Sequence, residues 1–438
     1  MALGGGKWIT QNKILPGAYI NFVSTAKADA TLSDRGIATI PVSLDWGPDN
    51  DVFKVDSGDF FTNSTAIFGY PYTSEKLTEI REIFKRATTV YFYRLNSGTK
   101  AANTLATARY SGVRGNDLKV IVSKDIDEED LFIVETVLGA TTMDVQAAKT
   151  IDDLEDNDFL IWKSDATLEE TASMPLEKGT NVDDVTGEDY QKYLDKIDGY
   201  SFNVMGCPTD DDKVIDLFVQ YTKRMRDEVG ALFQTVVYSK DEDKHDHEGI
   251  IVLENECTTE GMSEFAGIYW LTGAEAGCSV NKSLDNENYD GELDFYVDYK
   301  QSELIELIEE GKLVLHRQGD DVRVLVDINS FVTFTDEKSK DFSNNQTMRI
   351  LDEKGNAIAL IFNNKYNGHV PNDKAGRESF WSDMISINRD LEQIRAIQNY
   401  DDDNLIVTKG KDKGSVYMED TIEPINAMRQ LYSVIYVK

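Results

Sequence analysis

The chain begins and ends with a short segment of β-branched and aromatic residues, a composition that favours a β-strand. The first segment runs from Ala18 to Val23 and the second from Tyr432 to Val437. An unpaired strand edge attracts other chains, so a folded protein with such ends must place them in its own sheet or donate them to a neighbour. Strand-forming segments at both ends therefore favour a polymer.

Between these ends, the apolar pattern alternates between strand and helix. It predicts a strand over Gly36 to Val42, a strand and connection in the region Phe60 to Phe68, and a helix over Ser74 to Arg86. The run Thr89 to Leu95 has the composition of a buried strand. The same alternation resumes after residue 200, so the sequence predicts an α/β core.

Two further regions differ from this pattern. Short strands at Lys119 to Ser123, Leu131 to Val137 and Phe159 to Trp162 predict a small antiparallel β-sandwich inserted into the core. The last hundred residues predict an α+β domain with two helical stretches, a hairpin over Leu405 to Met418 that turns through residues 410–414, and a terminal strand from Leu431 to Val437.

We therefore predict six segments. They are an extended arm (1–25), the first part of the α/β core (26–95), the inserted β-sandwich on the outer surface (96–185), the second part of the core (186–335), a C-terminal inner domain (336–420) and a C-terminal arm (421–438).

Net charge restricts the possible partners. The formal charge is −34, and residues 151–300 contribute −25 of it, with 12 Lys and Arg against 37 Asp and Glu. Such a field repels phosphate backbones, so we expect no nucleic-acid binding, and the acidic middle third is predicted to be a hydrated face.

The three cysteines form no CxxC pair and are predicted to be buried thiols. We also expect no signal peptide and no membrane-spanning helix, and hence synthesis inside the cell.

Signals for catalysis are weak. Gly4 to Lys7 lacks both the Ser or Thr and the preceding strand of a phosphate loop. The cluster His245 to Glu248 is predicted to be a solvated loop, and Asn286 to Gly291 a hairpin turn because Val297 stands where a calcium loop needs Glu. The sequence predicts no catalytic residue, cofactor or metal. The small residues between Gly261 and Val280 favour a helix that approaches a neighbour closely.

Motifs in order along nearly the whole chain resemble one family, the tail sheath proteins of contractile phage tails and phage-tail-like bacteriocins, particularly the type found in Gram-positive prophages. The resemblance is carried by GGG at 4–6 with PGAYINF at 16–22, YSGVRGN at 110–116, GAEAG at 273–277 with NKSL at 281–284, YDG at 289–291, GKLVL at 311–315, DVRV at 321–324 with VDIN at 326–329, FNNKY at 362–366, VPN at 370–372, GR at 376–377 and INAM at 425–428.

The resemblance implies a structural subunit without enzymatic activity. Members form stacked sixfold rings around an inner tube, in a metastable extended state whose contraction drives the tube through a target envelope. The implied partners are other copies of the chain, the tube protein, and the baseplate and terminator or collar proteins, without nucleic acid or membrane contact. The particle is made in the host cytoplasm and released by lysis.

The resemblance also implies site residues. In the family, strands from two neighbours complete the sheet of a third subunit. The implied strand donors are Ala18, Tyr19, Ile20, Asn21, Phe22 and Val23, and Tyr432, Ser433, Val434, Ile435, Tyr436 and Val437; the implied acceptor hairpin is Leu405, Ile406, Val407, Thr408, Val416, Tyr417 and Met418. A helix over Gly376 to Asn399 is expected to face the tube, with Arg377, Arg389 and Arg395 as contacts or as intrasubunit pairs.

Within the family pattern, Asp352 to Asn356 stands where a continuous helix is expected, and Gly355 predicts a break there. Two alternative hypotheses remain open. The chain is an acidic cytoplasmic α/β enzyme with an unrecognised site, or it is a module that binds the tube or baseplate.

Overall fold

A computed structural model of the chain describes residues 35–126, 128, 130–239 and 245–437. The predicted donor segment Ala18 to Val23 lies outside the described residues.

The first part of the α/β core has five elements. They are β1 (Ile37–Val42), β2 (Val52–Asp56), α1 (Ser57–Phe68), α2 (Thr78–Phe84) and β3 (Thr89–Arg94). The prediction of a strand and connection for the Phe60 to Phe68 region is wrong, because these residues belong to α1. Phe60 and Phe68 are two helical turns apart and both are buried, so the aromatic run supplies one helix face rather than a strand.

The inserted region is a β-sandwich-like domain, as predicted. It consists of β4 (Ala106–Ala108), β5 (Leu118–Lys124), β6 (Phe132–Leu138), β7 (Thr141–Ala148), β8 (Leu160–Trp162) and β9 (Thr171–Pro175). The antiparallel sheet β7-β6-β5-β9 and the pair β4-β8 enclose their own apolar core.

The second part of the core completes a seven-stranded sheet. It contains α3 (Gly187–Ile197), β10 (Val204–Gly206), α4 (Asp212–Arg224), a π-helical turn (Met225–Val229), β11 (Gln234–Tyr238), β12 (Ile250–Leu253), α5 (Gly267–Gly277), α6 (Gln301–Glu309), β13 (Lys312–Leu313) and the hairpin β14 (Leu315–Gln318) and β15 (Asp321–Val324).

The sheet order is β13-β12-β11-β10-β1-β3-β2, with all pairs parallel except β2 and β3. Helices α1, α2 and α5 cover one face and α3 and α4 the other, because alternate strand residues contribute to two separate apolar clusters. The predicted α/β core is confirmed.

Helix α5 is buried on all sides, and two of its glycines contact the end of α2. A Cβ built on Gly273 would lie 2.2 Å from the carbonyl oxygen of Ile83, and one on Gly277 would lie 2.1 Å from that of Arg86. The predicted close approach of the small-residue segment is therefore present, and these glycines set the distance between the two helices.

The C-terminal region contains α7 (Asn345–Ile361), a π-helical turn (Phe362–Tyr366), α8 (Lys374–Gln393), β16 (Ile397–Gln398), β17 (Leu405–Lys409), β18 (Val416–Asp420) and β19 (Glu423–Pro424). The predicted break at Gly355 is wrong, because α7 passes through it. A Cβ there would lie 2.4 Å from Cδ1 of Leu232, so the missing side chain makes room for that leucine.

The predicted terminal strand over Leu431 to Val437 is also absent from the single subunit, where residues 425–437 form neither helix nor strand. A strand needs a partner for its backbone hydrogen bonds, and the described part of the same subunit supplies none to this segment.

The two helix glycines give a matched stability test. We expect Gly273→Ala to lower the free energy of unfolding by about 1–3 kcal/mol, because the new methyl group meets a backbone carbonyl that cannot rotate away. Gly355→Ala should change it by less than about 1 kcal/mol, because the half-buried Leu232 side chain can rotate and alanine favours the helix. Urea unfolding followed by circular dichroism measures both. Equal losses would show that backbone contact at Gly273 is not the cause.

Candidate assembly interface

The hairpin β17–β18 packs on α8 through one face only. Its register pairs Leu405 with Asp420 and Lys409 with Val416, and Gly410 donates to Ser415 across the turn at 2.8 Å. Leu405 is buried, whereas Ile406 and Tyr417 are exposed. Among the described residues, the sheet consists of these two strands alone, so neither outer edge pairs with a third strand.

A groove of about 630 Å³ separates β17 from α8. All five residues of β17 line one wall, and the α8 side chains Lys374, Arg377, Glu378 and Trp381 line the other. The side chains of consecutive strand residues point to opposite faces of a sheet. All five residues of β17 therefore line one wall of the groove because that wall runs along the main chain at the edge of the strand. The groove therefore exposes an edge on which an added strand can pair. Of its α8 wall, the sequence analysis singled out only Arg377, and only as a tube contact.

Two side chains form hydrogen bonds with the hairpin near the two ends of β17. Trp381 donates its indole N–H to the carbonyl oxygen of Leu405 at 3.0 Å, and Asn372 donates to the carbonyl oxygens of Lys413 and Ser415 at 3.1 and 2.7 Å. These bonds hold the hairpin against the start and middle of α8. The acceptor hairpin implied by the family resemblance is thus present as a hairpin, and its role as an acceptor stays a prediction.

The second predicted donor segment is exposed over its whole length. The exposed fractions are 87% for Tyr432, 76% for Val434, 83% for Ile435, 87% for Tyr436 and 92% for Val437. Exposed apolar patches of this kind mark surfaces that bind other molecules. The segment is not folded back onto the described part of its own subunit.

The three predicted tube-contact arginines differ in their surroundings. Arg377 donates to the carbonyl oxygen and the side chain of Asn372, and Arg389 binds Glu392 at 2.8 Å and Asp402 at 2.9 Å. Arg395 is exposed, but it lies beyond the end of α8 at Gln393, in a left-handed turn with φ of 62°. Two of the three therefore make intrasubunit contacts, and the helix predicted to carry Arg395 ends before it.

The histidine cluster is not the solvated loop that was predicted. His247 and Glu248 are buried, and their ligand atoms lie within 4.8 Å of those of Asp227. The Nδ1 atom of His247 accepts from the backbone N–H of Gly249, so the neutral ring carries its proton on Nε2, which lies 3.3 Å from Asp227. Lys338 binds Glu248 at 2.5 Å. These contacts occupy the groups a metal would need and indicate a structural cluster.

Burial lowers the pKa of His247 below its ordinary value, so the folded state favours the neutral ring. Three further buried residues that the sequence analysis did not single out as site residues are Arg349, Glu275 and Asp327. Of the described helices, none is long and apolar enough to cross a membrane.

An unpaired apolar segment and an open hairpin edge in one subunit are typical of proteins that associate by adding strands. Four family models match the chain in succession: "Tail sheath protein Gp18 domain III N-terminal region" over 35–95, "Phage tail sheath protein beta-sandwich domain" over 96–183, "Phage tail sheath protein central domain" over 183–330 and "Phage tail sheath C-terminal domain" over 337–438.

Individual relatives agree. The crystal structure of the sheath tail protein DSY3957 from Desulfitobacterium hafniense is 32% identical, with 94% of this chain and 97% of that chain covered and a TM-score of 0.79. The phage-like element PBSX protein XkdK of Bacillus subtilis is 27% identical over 98% of this chain and 99% of its own length. The anti-feeding prophage sheath in its contracted state shares the fold, at 14% identity, a TM-score of 0.57 and coverage of 98% of this chain and 99% of that one.

The chain therefore belongs to the phage tail sheath family, and it is a structural subunit of a contractile tail sheath. It is a component of a phage tail or a phage-tail-like particle. The alternative of an acidic enzyme is not favoured.

The buried histidine generates a pH prediction. Because the folded-state pKa of His247 lies below its unfolded value of 6.5, protonation favours the unfolded chain, and stability is lost as pH falls from about 6.5 through the folded pKa. We expect His247→Gln, whose amide can make the same two hydrogen bonds, to lose less stability than wild type between pH 7.5 and 5. Thermal unfolding at each pH measures this, with the exposed His369→Gln as control. An unchanged pH profile in His247→Gln would contradict it.

Proposed function

We propose that the subunit polymerises as stacked sixfold rings around an inner tube and that the polymer contracts to drive the tube through a target envelope. The observation that carries this proposal is the combination of an apolar C-terminal segment exposed in the single subunit with an open strand edge of matching length. The donor segment has six residues, and the strand that faces the groove has five.

The physical basis is main-chain pairing. Each backbone hydrogen bond contributes about 0.5–1.5 kcal/mol net, and burial of a Val, Ile or similar side chain contributes about 1.5–3 kcal/mol. Several bonds and several buried side chains per donor give a link that persists while subunits rotate, because pairing of backbones does not depend on the rest of the subunit keeping its position.

The N-terminal segment Ala18 to Val23 is proposed as the second donor. A hairpin has two edges, so one strand can pair with β17 and another with β18. This gives each subunit two donors and two acceptor edges, so that a copy can be linked to more than two neighbours and the links form a mesh rather than a single chain. The inner tube, baseplate and terminator or collar proteins are the proposed partners at the ends and centre of the polymer, with synthesis in the host cytoplasm and release by lysis.

Proline scanning of the C-terminal segment tests strand donation. We expect Val434→Pro or Ile435→Pro to raise the critical concentration for polymerisation by about tenfold or more, because proline removes one ladder N–H. Successive N–H groups point to opposite sides of a strand, so at least one of the two variants must remove a bond. Sedimentation and electron microscopy of striated cylinders or hollow polysheaths provide the measurement.

The matched control is Val434→Thr, which keeps the N–H and the β-branched shape. All three variants should unfold at the wild-type temperature, because Val434 and Ile435 are exposed in the subunit. Normal polymers from both proline variants, or from a chain that lacks residues 1–23, would contradict strand exchange. Isolated rings would instead favour a tube- or baseplate-binding module.

Arg395 is the arginine proposed to contact the tube, because Arg377 and Arg389 already have partners within the subunit. We expect Arg395→Glu to reduce the amount of sheath that co-sediments with purified inner tubes, and we expect the reduction to be larger than for Arg389→Gln. Added salt should weaken wild-type binding, since exposed charge pairs are screened over about 8 Å at physiological ionic strength. Equal binding of wild type and Arg395→Glu would contradict this placement.

A further inference from the structure

One face of α7 carries a stripe of four polar residues, of which the first three are buried and the last, Asn356, is exposed. Asn345, Arg349, Asp352 and Asn356 follow each other at spacings of four, three and four residues, which places them on the same side of the helix. The opposite side carries Ile350, Ala357 and Ile361 into the apolar core of the C-terminal region.

Each residue of the stripe bonds to the α/β core. Asn345 accepts from Gln234 at 2.9 Å, and Asn356 exchanges two bonds with the backbone of Leu232. Asp352 accepts from both terminal nitrogens of Arg226, at 2.7 and 2.8 Å. The C-terminal region is therefore attached to the core by directional polar bonds, which fix its orientation more strictly than apolar contact does.

The stripe includes a buried ionic cluster around Arg349. Its two terminal nitrogens donate to Glu275 at 2.5 Å and to Asp327 at 2.6 Å, and all three side chains are at most 1% exposed. Burial raises the pKa of Glu275, while Arg349 holds the pKa of Asp327 below its ordinary value against the effect of burial. Burial thus favours the neutral form of Glu275, whereas Arg349 favours the charged form of Asp327.

The first described residues contact the helix that carries Glu275. Arg35, the first described residue, donates to the carbonyl oxygens of Glu275 and Cys278 at 3.1 and 3.0 Å. These carbonyls lie at the C-terminal end of α5, where the helix dipole favours a cation. The next two backbone N–H groups, of Gly36 and Ile37, both donate to Asn203.

The C-terminal segment leaves the folded body from the same place. The side chain of Thr347 donates to that of Asn426, and the backbone N–H of Ala427 donates to Gln346, one turn before Arg349. Arg429 donates to Asp285 at 3.0 Å, and the other oxygen of Asp285 accepts from the backbone N–H of Asp327 at 2.8 Å. Beyond Arg429 the side chains are exposed.

We infer that the Glu275–Asp327–Arg349 cluster is a common anchor for the bases of both terminal segments. Arg35 holds the N-terminal segment to the backbone of Glu275, and Gln346, Thr347 and Asp285 hold the C-terminal segment to the helix and loop that carry Arg349 and Asp327. Tension on one segment is then passed to the other through a few buried side chains without deforming the sheet. The inference rests on the proposed function only for the source of that tension.

Hydrogen exchange of the unassembled, full-length subunit tests the anchor without relying on polymerisation. Exchange is read by mass spectrometry in peptides that contain the amides of residues 36–37 and 426–427. We expect Arg349→Lys, which keeps the charge but cannot reach both carboxylates with a planar fork, to increase exchange about tenfold in both peptides. The control Arg226→Lys alters a buried arginine that bonds the same helix one turn away, and it should leave both peptides unchanged.

A second variant tests the coupling directly and leaves the buried cluster intact. Arg35→Lys removes the fork at the base of the N-terminal segment, and we expect it to increase exchange at 426–427 severalfold. The inference is overturned if Arg349→Lys affects fewer than both peptides, if Arg226→Lys affects both equally, or if Arg35→Lys changes only 36–37. If Arg349→Lys does not fold, hydrogen exchange at 426–427 in Arg35→Lys decides whether the two segments are coupled. Failure of the proposed function appears separately, as normal polymers from the proline variants.

Discussion

A guanidinium group that is 1% exposed must be paired, and in this chain its partners come from parts of the sequence far from the helix that carries it. Arg349 belongs to the C-terminal region, whereas Glu275 and Asp327 belong to the α/β core. Removal of one partner from a buried ionic group costs about 3–5 kcal/mol, because the remaining charge is left without compensation. The C-terminal region therefore has one low-energy orientation on the core. That orientation sets the direction in which the hairpin and the C-terminal segment project from the core.

The central sheet and the β17–β18 hairpin differ in how their edges are exposed. The central sheet ends on one side at β13, which has only two residues, and short edge strands limit unwanted pairing. The hairpin β17–β18 has five residues per strand, exposed apolar side chains on one face and a groove along one edge. At its β13 edge, the core thus offers little backbone to an added strand, whereas the edge of β17 offers five residues. That contrast is what a linked polymer of otherwise rigid subunits requires.

The sequence predicts the parts of this structure whose signal is local. The buried strand at Thr89–Arg94 and the hairpin after Leu405 follow from composition and turn residues that lie side by side in the chain. Helix α1 was missed because its buried positions, Phe60, Ser64 and Phe68, recur every four residues but include a serine, while an aromatic-rich run favours a strand. The polar stripe on α7 gave a signal at helical spacing, but the same pattern is typical of an exposed helix face. Only the position of Glu275, in a helix of otherwise small and apolar residues, indicates that a cation must reach it.

In the proposed polymer, the contacts that link subunits and the repulsion that keeps particles apart depend differently on charge. The proposed donor residues Tyr432 to Val437 carry no charge, so their pairing with β17 is insensitive to salt apart from the groove residues Lys374 and Arg377. The acidic middle third, by contrast, repels its copies only within about 8 Å at physiological ionic strength. Under the proposed function, like-charge repulsion is expected to discourage side-by-side bundling of particles and to add only a small, screened contribution to contraction. If the subunit contracts as proposed, the larger part of the driving energy must come from contacts between subunits that differ in the extended and contracted lattices, because donated strands that stay paired in both lattices contribute equally to each.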